Sequence, residues 1–433
     1  MTALHQSPLK EWLHDTRHRS LALYADLSGA QLLGSRLSIV NPPLWEIGHI
    51  AWFQEYWCLR YRGSELAPLP SMLTHADELY DSAAVAHATR WDLPLPNIDD
   101  TQRYAKNVLE QVTERLTHEA DNPALRYFAQ LAVCHEDMHG EAFFYTRQTL
   151  GYSIPSLGAT IHAPPGTAWP GDAKISGGRF LLGAMKNDAN FVFDNEKWAH
   201  EIYVPSFAMA KAAVTYGEFA EFVSEGGYAL REFWCDEGWA WRERIQADHP
   251  GYWQNRGGQW WLREFDMWVY IGERQHAAVC FVNWFEANAY CRYAQRRLPT
   301  EAEWELAAGG LEKRSYPWGQ NDTDPGAASR ANLDGIMAGS QAVSASPEGD
   351  TPEGLRQLWG NVWEWTADSF APYPGFVRDP YKEYSEPWFG NHKVLRGGCF
   401  ATRARLLRNT WRNFYTPDRR DIPAGFRTCA LYP

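Results

Sequence analysis

The chain has 433 residues, 45% hydrophobic and 22% charged, which is ordinary globular composition and more than one core comfortably holds. Its 53 acidic against 41 basic residues give a net charge of -12 with no basic run, so neither nucleic acid nor an anionic membrane is expected as partner. Residues 1–12 carry charges without an apolar h-region, no run approaches the ~18 apolar residues of a membrane span, and seven scattered cysteines form no CxxC pair. A reduced, cytoplasmic protein without a cysteine-held zinc is therefore expected. The 22 Trp exceed ordinary core needs, which suggests that some line a pocket or an interface.

Residues 1–151 read as helices. Weak periodicity marks segments near 8–27 and 98–119. Between them, Asn41 is expected to cap a helix with Pro42 and Pro43 in its first turn, carrying Trp45, His49, Phe53 and Trp57 at spacings of four. Asn122 and Pro123 open another, with Phe128, Leu131, His135, His139 and Phe143 as its stripe and Gly151 as its end. Four such segments predict an antiparallel bundle, a scaffold that commonly builds metal sites from inward-facing side chains.

Residues 152–173 are rich in Pro and Gly, with Pro155, Pro164, Pro165 and Pro170, and read as a surface linker. From 174 to 433 short strands and isolated helices alternate with long loops. Capping boxes start helices at Thr215 with Glu218, Asn283 with Glu286, and Thr300 with Glu303. This second part reads as an α+β domain dominated by loops, where binding groups usually sit.

The strongest chemical signal is His135-Glu136-Asp137-Met138-His139. On a helix, positions i and i+4 lie one above the other, so both imidazoles can reach one metal. The string also satisfies the HExxH pattern of zinc peptidases, with Glu136 as base. However, no histidine follows before His162 and no acid lies between Glu141 and Asp172, so that reading lacks its third ligand. His49, on an inward position of a neighbouring helix, supplies a better one. Spacing alone leaves zinc, iron and a purely structural cluster open.

The second part resembles the formylglycine-generating-enzyme (sulfatase-modifying factor) domain, which has a C-type-lectin-like fold. The strings that carry the likeness are Gly177-Gly178-Arg179-Phe180-Leu181-Leu182-Gly183, Val282-Asn283-Trp284, Arg297-Leu298-Pro299-Thr300-Glu301-Ala302-Glu303-Trp304-Glu305, Leu358-Trp359-Gly360-Asn361-Val362-Trp363-Glu364-Trp365, Leu395-Arg396-Gly397-Gly398 and Ala424-Gly425-Phe426-Arg427. The first part resembles the DinB-like bundle through Gly48-His49-Ile50-Ala51-Trp52-Phe53 and the His135/His139 motif. In this order the two resemble the iron-dependent sulfoxide synthases of ergothioneine and ovothiol biosynthesis and the related selenoneine synthases. The resemblance implies Fe(II) on His49, His135 and His139, dioxygen as oxidant, and hercynine (trimethyl-histidine) as acceptor of sulfur or selenium. It implies substrate roles for Asn413, at the amino-acid carboxylate, and Phe414, at the trimethylammonium, with Tyr415 nearby. The segment Tyr381-Lys382-Glu383-Tyr384 matches the family's active-site tyrosine region, with Tyr381 the first choice and Tyr384 the second.

Departures bear on the donor. Where relatives using γ-glutamylcysteine place several carboxylate-reading arginines, Val85-Ala86-His87-Ala88-Thr89-Arg90 offers Arg90 alone, and Met138 replaces a common glutamine. A neutral selenosugar donor, and so a selenoneine synthase, is the expectation. Ergothioneine synthesis from γ-glutamylcysteine or cysteine is the alternative, and a non-catalytic binding module is the competing class.

Overall fold

The structure is a computed structural model that describes residues 8–157, 166–186, 191–319 and 330–432. The chain divides into two compact units, Met1–Leu157 and Gly158–Pro433.

The first unit is helical: α1 (Leu9–Tyr24), α2 (Pro43–Glu55), α3 (Ala76–Tyr80), α4 (Ile98–His118) and α5 (Pro123–Leu150). Helix α1 lies along α5, and α2 lies along α4 while also touching α5. The ends of α5 form as the sequence requires. Asn122 accepts from the amides of Ala124 and Leu125 at 3.1 and 3.2 Å, Pro123 occupies the first turn, and Gly151 closes the helix at φ 68°. Such a cap contributes about 1 kcal/mol. At α4, Asn97 caps the start, Asp99 and Asp100 face its positive end, and Arg115 and His118 face its negative end.

Helix α2 departs from expectation at its start. Pro42 takes the cap position, and the Asn41 side chain instead accepts from Arg90 Nη1 at 2.6 Å. An asparagine one residue too early cannot reach the first free amides, and the guanidinium competes for it. Every residue from Trp45 through Glu55 is buried, so α2 is the centre of the bundle rather than a surface helix. Its polar groups consequently need internal partners. Glu55 accepts from Tyr104 Oη, Ser71 Oγ and the Met72 amide, each at 2.6 Å. Gly48 is obligatory here, because a Cβ would lie 2.2 Å from the Tyr80 ring. That close approach brings the backbone of α3 against α2.

In residues 152–157 and 166–171 no helix or strand forms, while Pro164 and Pro165 lie outside the described residues. The second unit begins with β1 (Asp172–Ile175), β2 (Gly178–Leu182), β3 (His200–Val204) and β4 (Phe207–Ala210). It continues with α6 (Tyr216–Ser224), α7 (Asp236–Ile245), β5 (Trp253–Arg256), β6 (Gln259–Glu264), β7 (Met267–Tyr270), α8 (Trp284–Tyr293), β8 (Arg296–Arg297) and α9 (Glu301–Gly309). The last strands are β9 (Trp363–Ser369), β10 (Lys393–Arg396), β11 (Asn413–Tyr415), β12 (Ala424–Gly425) and β13 (Cys429–Ala430). Two four-stranded sheets run β1-β4-β13-β8 and β11-β10-β9-β12, beside a β2-β3 hairpin and a β5-β6-β7 meander. The three capping boxes form at α6, α8 and α9.

The motifs that carried the family likeness make the polar core of this unit. Arg427 and Glu364, both buried, pair at 2.7 Å, and Trp304 donates to the same carboxylate at 2.8 Å. Arg396 pairs with Glu305 and donates to the carbonyls of Thr410 and Trp411. Trp359 and Trp365 donate to Asn409 Oδ1 and Val282 O at 2.8 and 2.9 Å. Trp304, Trp359, Trp363 and Trp365 thus belong to the core.

Candidate metal centre and substrate residues

His49 projects from α2, and His135 and His139 project one turn apart from α5. Their candidate ligand nitrogens all lie within 4.8 Å of one another, and their ring centroids are 4.5 to 5.1 Å apart. Hydrogen bonds define two of the tautomers. His49 Nδ1 donates to Tyr80 O at 2.8 Å and His139 Nδ1 donates to Glu46 Oε1 at 2.6 Å, so each presents Nε2 as the electron-pair donor. The His135 ring lies flat on Phe53, centroids 3.6 Å apart. Trp45 stacks on His49 at 4.8 Å.

Burial pushes the His49 and His135 imidazoles well below their ordinary pKa, and the electrostatic influence of the neighbouring His139 adds to it. Both are therefore neutral near pH 7, which is the ligating state. Three neutral imidazoles leave a divalent ion its full charge and open positions, and this donor set suits iron(II) or zinc. A buried carboxylate behind one ligand fits a metal site further. Glu46 is 1% exposed and, among the described residues, its Oε2 has no hydrogen-bond partner, so an ion bound nearby would offset the cost of burying this carboxylate.

Glu136 does not face this centre. Its two carboxylate oxygens accept from Arg17 Nε and Nη2 at 2.8 and 3.0 Å, with both side chains buried. Asp137 accepts from Thr16 Oγ1 at 2.8 Å. The peptidase alternative thereby loses its general base as well as its third ligand.

Arg90 turns inward. Its guanidinium stacks 3.9 Å from the Trp45 ring centroid and donates to Asn41 Oδ1 and to the carbonyls of Ser82 and Val85. It is 8% exposed, and burial lowers its pKa to about 10. The side chain is thus engaged inside its own unit, bracing the ring that backs His49.

In the second unit, Tyr381 and Tyr384 share the loop 379–385, with ring centroids 6.1 Å apart. Tyr384 is half-buried. Its ring stacks on Phe193 at 4.1 Å and meets Phe414 edge-on at 5.8 Å, and Trp411 Nε1 donates to its hydroxyl at 3.3 Å. Burial raises this phenol well above its usual pKa. Strand β11 carries the other three candidates, paired with β10 as Leu395 with Asn413, Val394 with Phe414 and Lys393 with Tyr415. Side chains alternate along a strand, so Phe414 points opposite to Asn413 and Tyr415. Accordingly Phe414 packs on Phe370 at 4.1 Å, whereas Tyr415 lies under Arg419 at 5.1 Å. The structure brings Phe414 to the tyrosine loop and sets Asn413 and Tyr415 on the other face.

Two supports escaped the sequence reading. Glu46 sits three residues before His49, a spacing that places both on one helix face and could have flagged it. Asp194, which accepts from the Asp379 amide and the Ser385 hydroxyl at the two ends of the tyrosine loop, offered no such signal, because these partners lie 185 and 191 residues away.

Comparison with known proteins agrees with this architecture. Residues 160–431 match the family described as the sulfatase-modifying factor enzyme 1-like domain, and residues 13–143 match the DinB superfamily. The hercynine oxygenase of Mycolicibacterium thermoresistibile is 36% identical, over 98% of this chain and 94% of the relative. That of Mycobacterium tuberculosis is 34% identical over 95% of this chain and 96% of the relative. The formylglycine-generating enzyme of Streptomyces coelicolor is 33% identical but aligns with 60% of this chain. The hercynine oxygenases thus account for both units, and the chain belongs to their family of oxidoreductases, a DinB superfamily bundle followed by a sulfatase-modifying factor enzyme 1-like domain.

Proposed function

We propose that the protein uses iron(II) and dioxygen to form a carbon–chalcogen bond on the imidazole ring of hercynine, with a selenosugar as the chalcogen donor. The observation that carries the metal chemistry is the trio His49, His135 and His139, close-set, largely buried, and with two tautomers fixed by Tyr80 O and Glu46. The substrate follows from the names of the relatives that match both units.

The three histidines would hold the ion through neutral nitrogens, and bound iron(II) would supply electrons to dioxygen. The chain's own residues then have separate tasks. Tyr381 Oη, with Tyr384 Oη as second choice, delivers the proton that reduced dioxygen takes up. Phe414 offers a ring to the trimethylammonium, a contact of ~0.5–2 kcal/mol that no hydrogen bond can replace. Asn413 binds the amino-acid carboxylate. Because β11 ends its sheet, a ligand lying along that edge can meet side chains from both of its faces. Tyr415 is left for the hydroxyls of a sugar.

The inward engagement of Arg90 supports a neutral donor, since the one arginine of that segment is not held out to a carboxylate. The test is anaerobic loading with iron(II), followed by air, hercynine and a selenosugar, with oxygen uptake and product mass recorded. Hercynine-dependent uptake with a selenium-bearing product is expected. Absence of hercynine-dependent uptake would overturn the reading.

A further inference from the structure

The turn 193–197 joins two segments that carry substrate-side candidates. On one side it meets the tyrosine loop. Asp194 Oδ1 accepts from Ser385 Oγ at 2.5 Å and Asp194 Oδ2 accepts from the Asp379 amide at 3.3 Å. One carboxylate therefore holds both ends of the loop 379–385. Lys197 Nζ pairs with the Asp379 carboxylate at 2.6 Å, and Phe193 stacks beneath Tyr384. The loop closes on itself between these anchors, with the Tyr384 amide donating to Tyr381 O at 3.2 Å.

On its other side the turn fixes the approach to β11. Glu196 pairs with Arg408 and accepts from Thr410 Oγ1 at 2.7 Å, and Asn195 O accepts from Arg412 at 2.8 Å. The five residues thus set the spacing between Tyr384 and Phe414. Asp194 is 2% exposed and Ser385 is fully buried, which makes the clasp an interior contact rather than a surface one. A carboxylate suits the task because it has two acceptor oxygens for two donors. An asparagine of the same shape keeps one acceptor and turns an N–H toward the other donor.

We propose that Asp194 is a positioning residue for the phenols of Tyr381 and Tyr384, acting by clasping both ends of their loop. The proposal rests on the reading above that a tyrosine of this loop handles a proton. Without the clasp, several backbone residues regain freedom worth about 1–2 kcal/mol each, and the loop samples conformers in which the hydroxyls are misplaced. A displacement near 1 Å lowers a rate by roughly 100-fold.

The test uses the full-length chain with Asp194→Asn and, as the milder change, Ser385→Ala. In metal-free protein carrying 3-fluorotyrosine at position 384, the fluorine resonance should broaden or split in both variants. In iron-loaded protein, kcat should fall about 10- to 100-fold in Asp194→Asn while the KM for hercynine stays within twofold. In a Tyr381→Phe/Tyr384→Phe background, Asp194→Asn should cause no further loss, which a merely structural role does not predict. An unchanged fluorine line in both variants would overturn the proposal, as would an equal loss in the background without phenols. If the parent protein itself does not act on hercynine, the proposed function fails, while the fluorine spectra still decide the clasp. Should Asp194→Asn not fold, Ser385→Ala gives the same readouts.

Discussion

Glu46 accepts the Nδ1 proton of His139 at 2.6 Å, and the two residues come from different helices of the bundle. The contact fixes which nitrogen of His139 faces the metal centre and makes that nitrogen a stronger donor. Glu46→Gln keeps the size of the side chain but removes the charge and can present an N–H to the ring. Iron(II) affinity should fall about 10- to 100-fold by competition with a chelating indicator, a typical loss for such a partner. Glu136→Gln, one residue from His135 but turned to Arg17, should leave that affinity within a fewfold of the parent. Equal losses in the two variants would remove Glu46 from the metal centre.

The pair Arg17 with Glu136 makes a stability prediction. Both side chains are buried, and Arg17 also donates to Ala105 O and Gln54 Oε1. Arg17→Met leaves a buried carboxylate without its cation, so urea unfolding should show a loss of about 3–5 kcal/mol. The double change Arg17→Met/Glu136→Leu should recover much of it, because apolar replacement of both partners removes the unpaired charge. No recovery would mean that packing rather than charge dominates the site.

Acid should destabilise the second unit through two of its buried carboxylates, Glu196 and Glu301. The cations Arg408 and, for Glu301, Arg412 and Arg396 outweigh the cost of burial and hold Glu196 and Glu301 below their ordinary pKa. For a carboxylate depressed on folding, stability is fully present above the unfolded pKa and is lost as pH falls through the lower folded value. The contribution of these two carboxylates to the unfolding midpoint should therefore be level from pH 7 down to about 5 and drop below about 4.3, the ordinary glutamate value. Glu196→Gln should flatten that acid limb. A limb of unchanged depth in this variant would assign the acid sensitivity to other groups.

Much of this molecule is legible from local pattern, and what is not has a physical reason. Asn122, Pro123 and Gly151 bound α5 because capping is decided within four residues. The pair His135 and His139 is legible because helical periodicity places i and i+4 together. Asn41 misleads because the same side-chain oxygen serves Arg90, a partner 49 residues away that no window reveals. Glycine and arginine strings that identify the family turn out to build the core, as Arg427 and Glu364 do. Conversely Phe414 and Asn413, adjacent in sequence, diverge because a strand alternates its faces.

The tyrosines can be separated by removing one hydroxyl at a time. Tyr381→Phe and Tyr384→Phe each delete an oxygen and little volume, so hercynine affinity should survive in both. A proton-delivery role contributes typically 100- to 10,000-fold, so a loss of about that size in kcat marks the residue. The two differ in context, because Tyr384 receives the Trp411 indole N–H and lies between Phe193 and Phe414. Loss confined to Tyr384→Phe would transfer the role from Tyr381. No loss in either would take phenol chemistry out of the reaction.

The donor remains the finest distinction, and it turns on Arg90. A charge-assisted contact is worth ~1.5–3 kcal/mol, so a carboxylate-bearing donor that lacks it binds roughly 10- to 100-fold more weakly. Arg90 is stacked on Trp45 and bonded to Asn41, and reaching a ligand requires it to abandon both. A selenosugar carries no carboxylate and presents hydroxyls, which Tyr415 on the face shared with Asn413 can meet. Equal concentrations of selenosugar, cysteine and γ-glutamylcysteine, offered together with hercynine, should therefore give selenoneine as the main product. Arg90→Met should leave that product ratio unchanged while lowering the melting temperature, because the guanidinium braces Trp45 and, through it, His49. A dominant γ-glutamylcysteine sulfoxide would sink the selenosugar reading. If Arg90→Met then also abolished that product at unchanged stability, the arginine would be a substrate reader after all, swung out from the position it holds here.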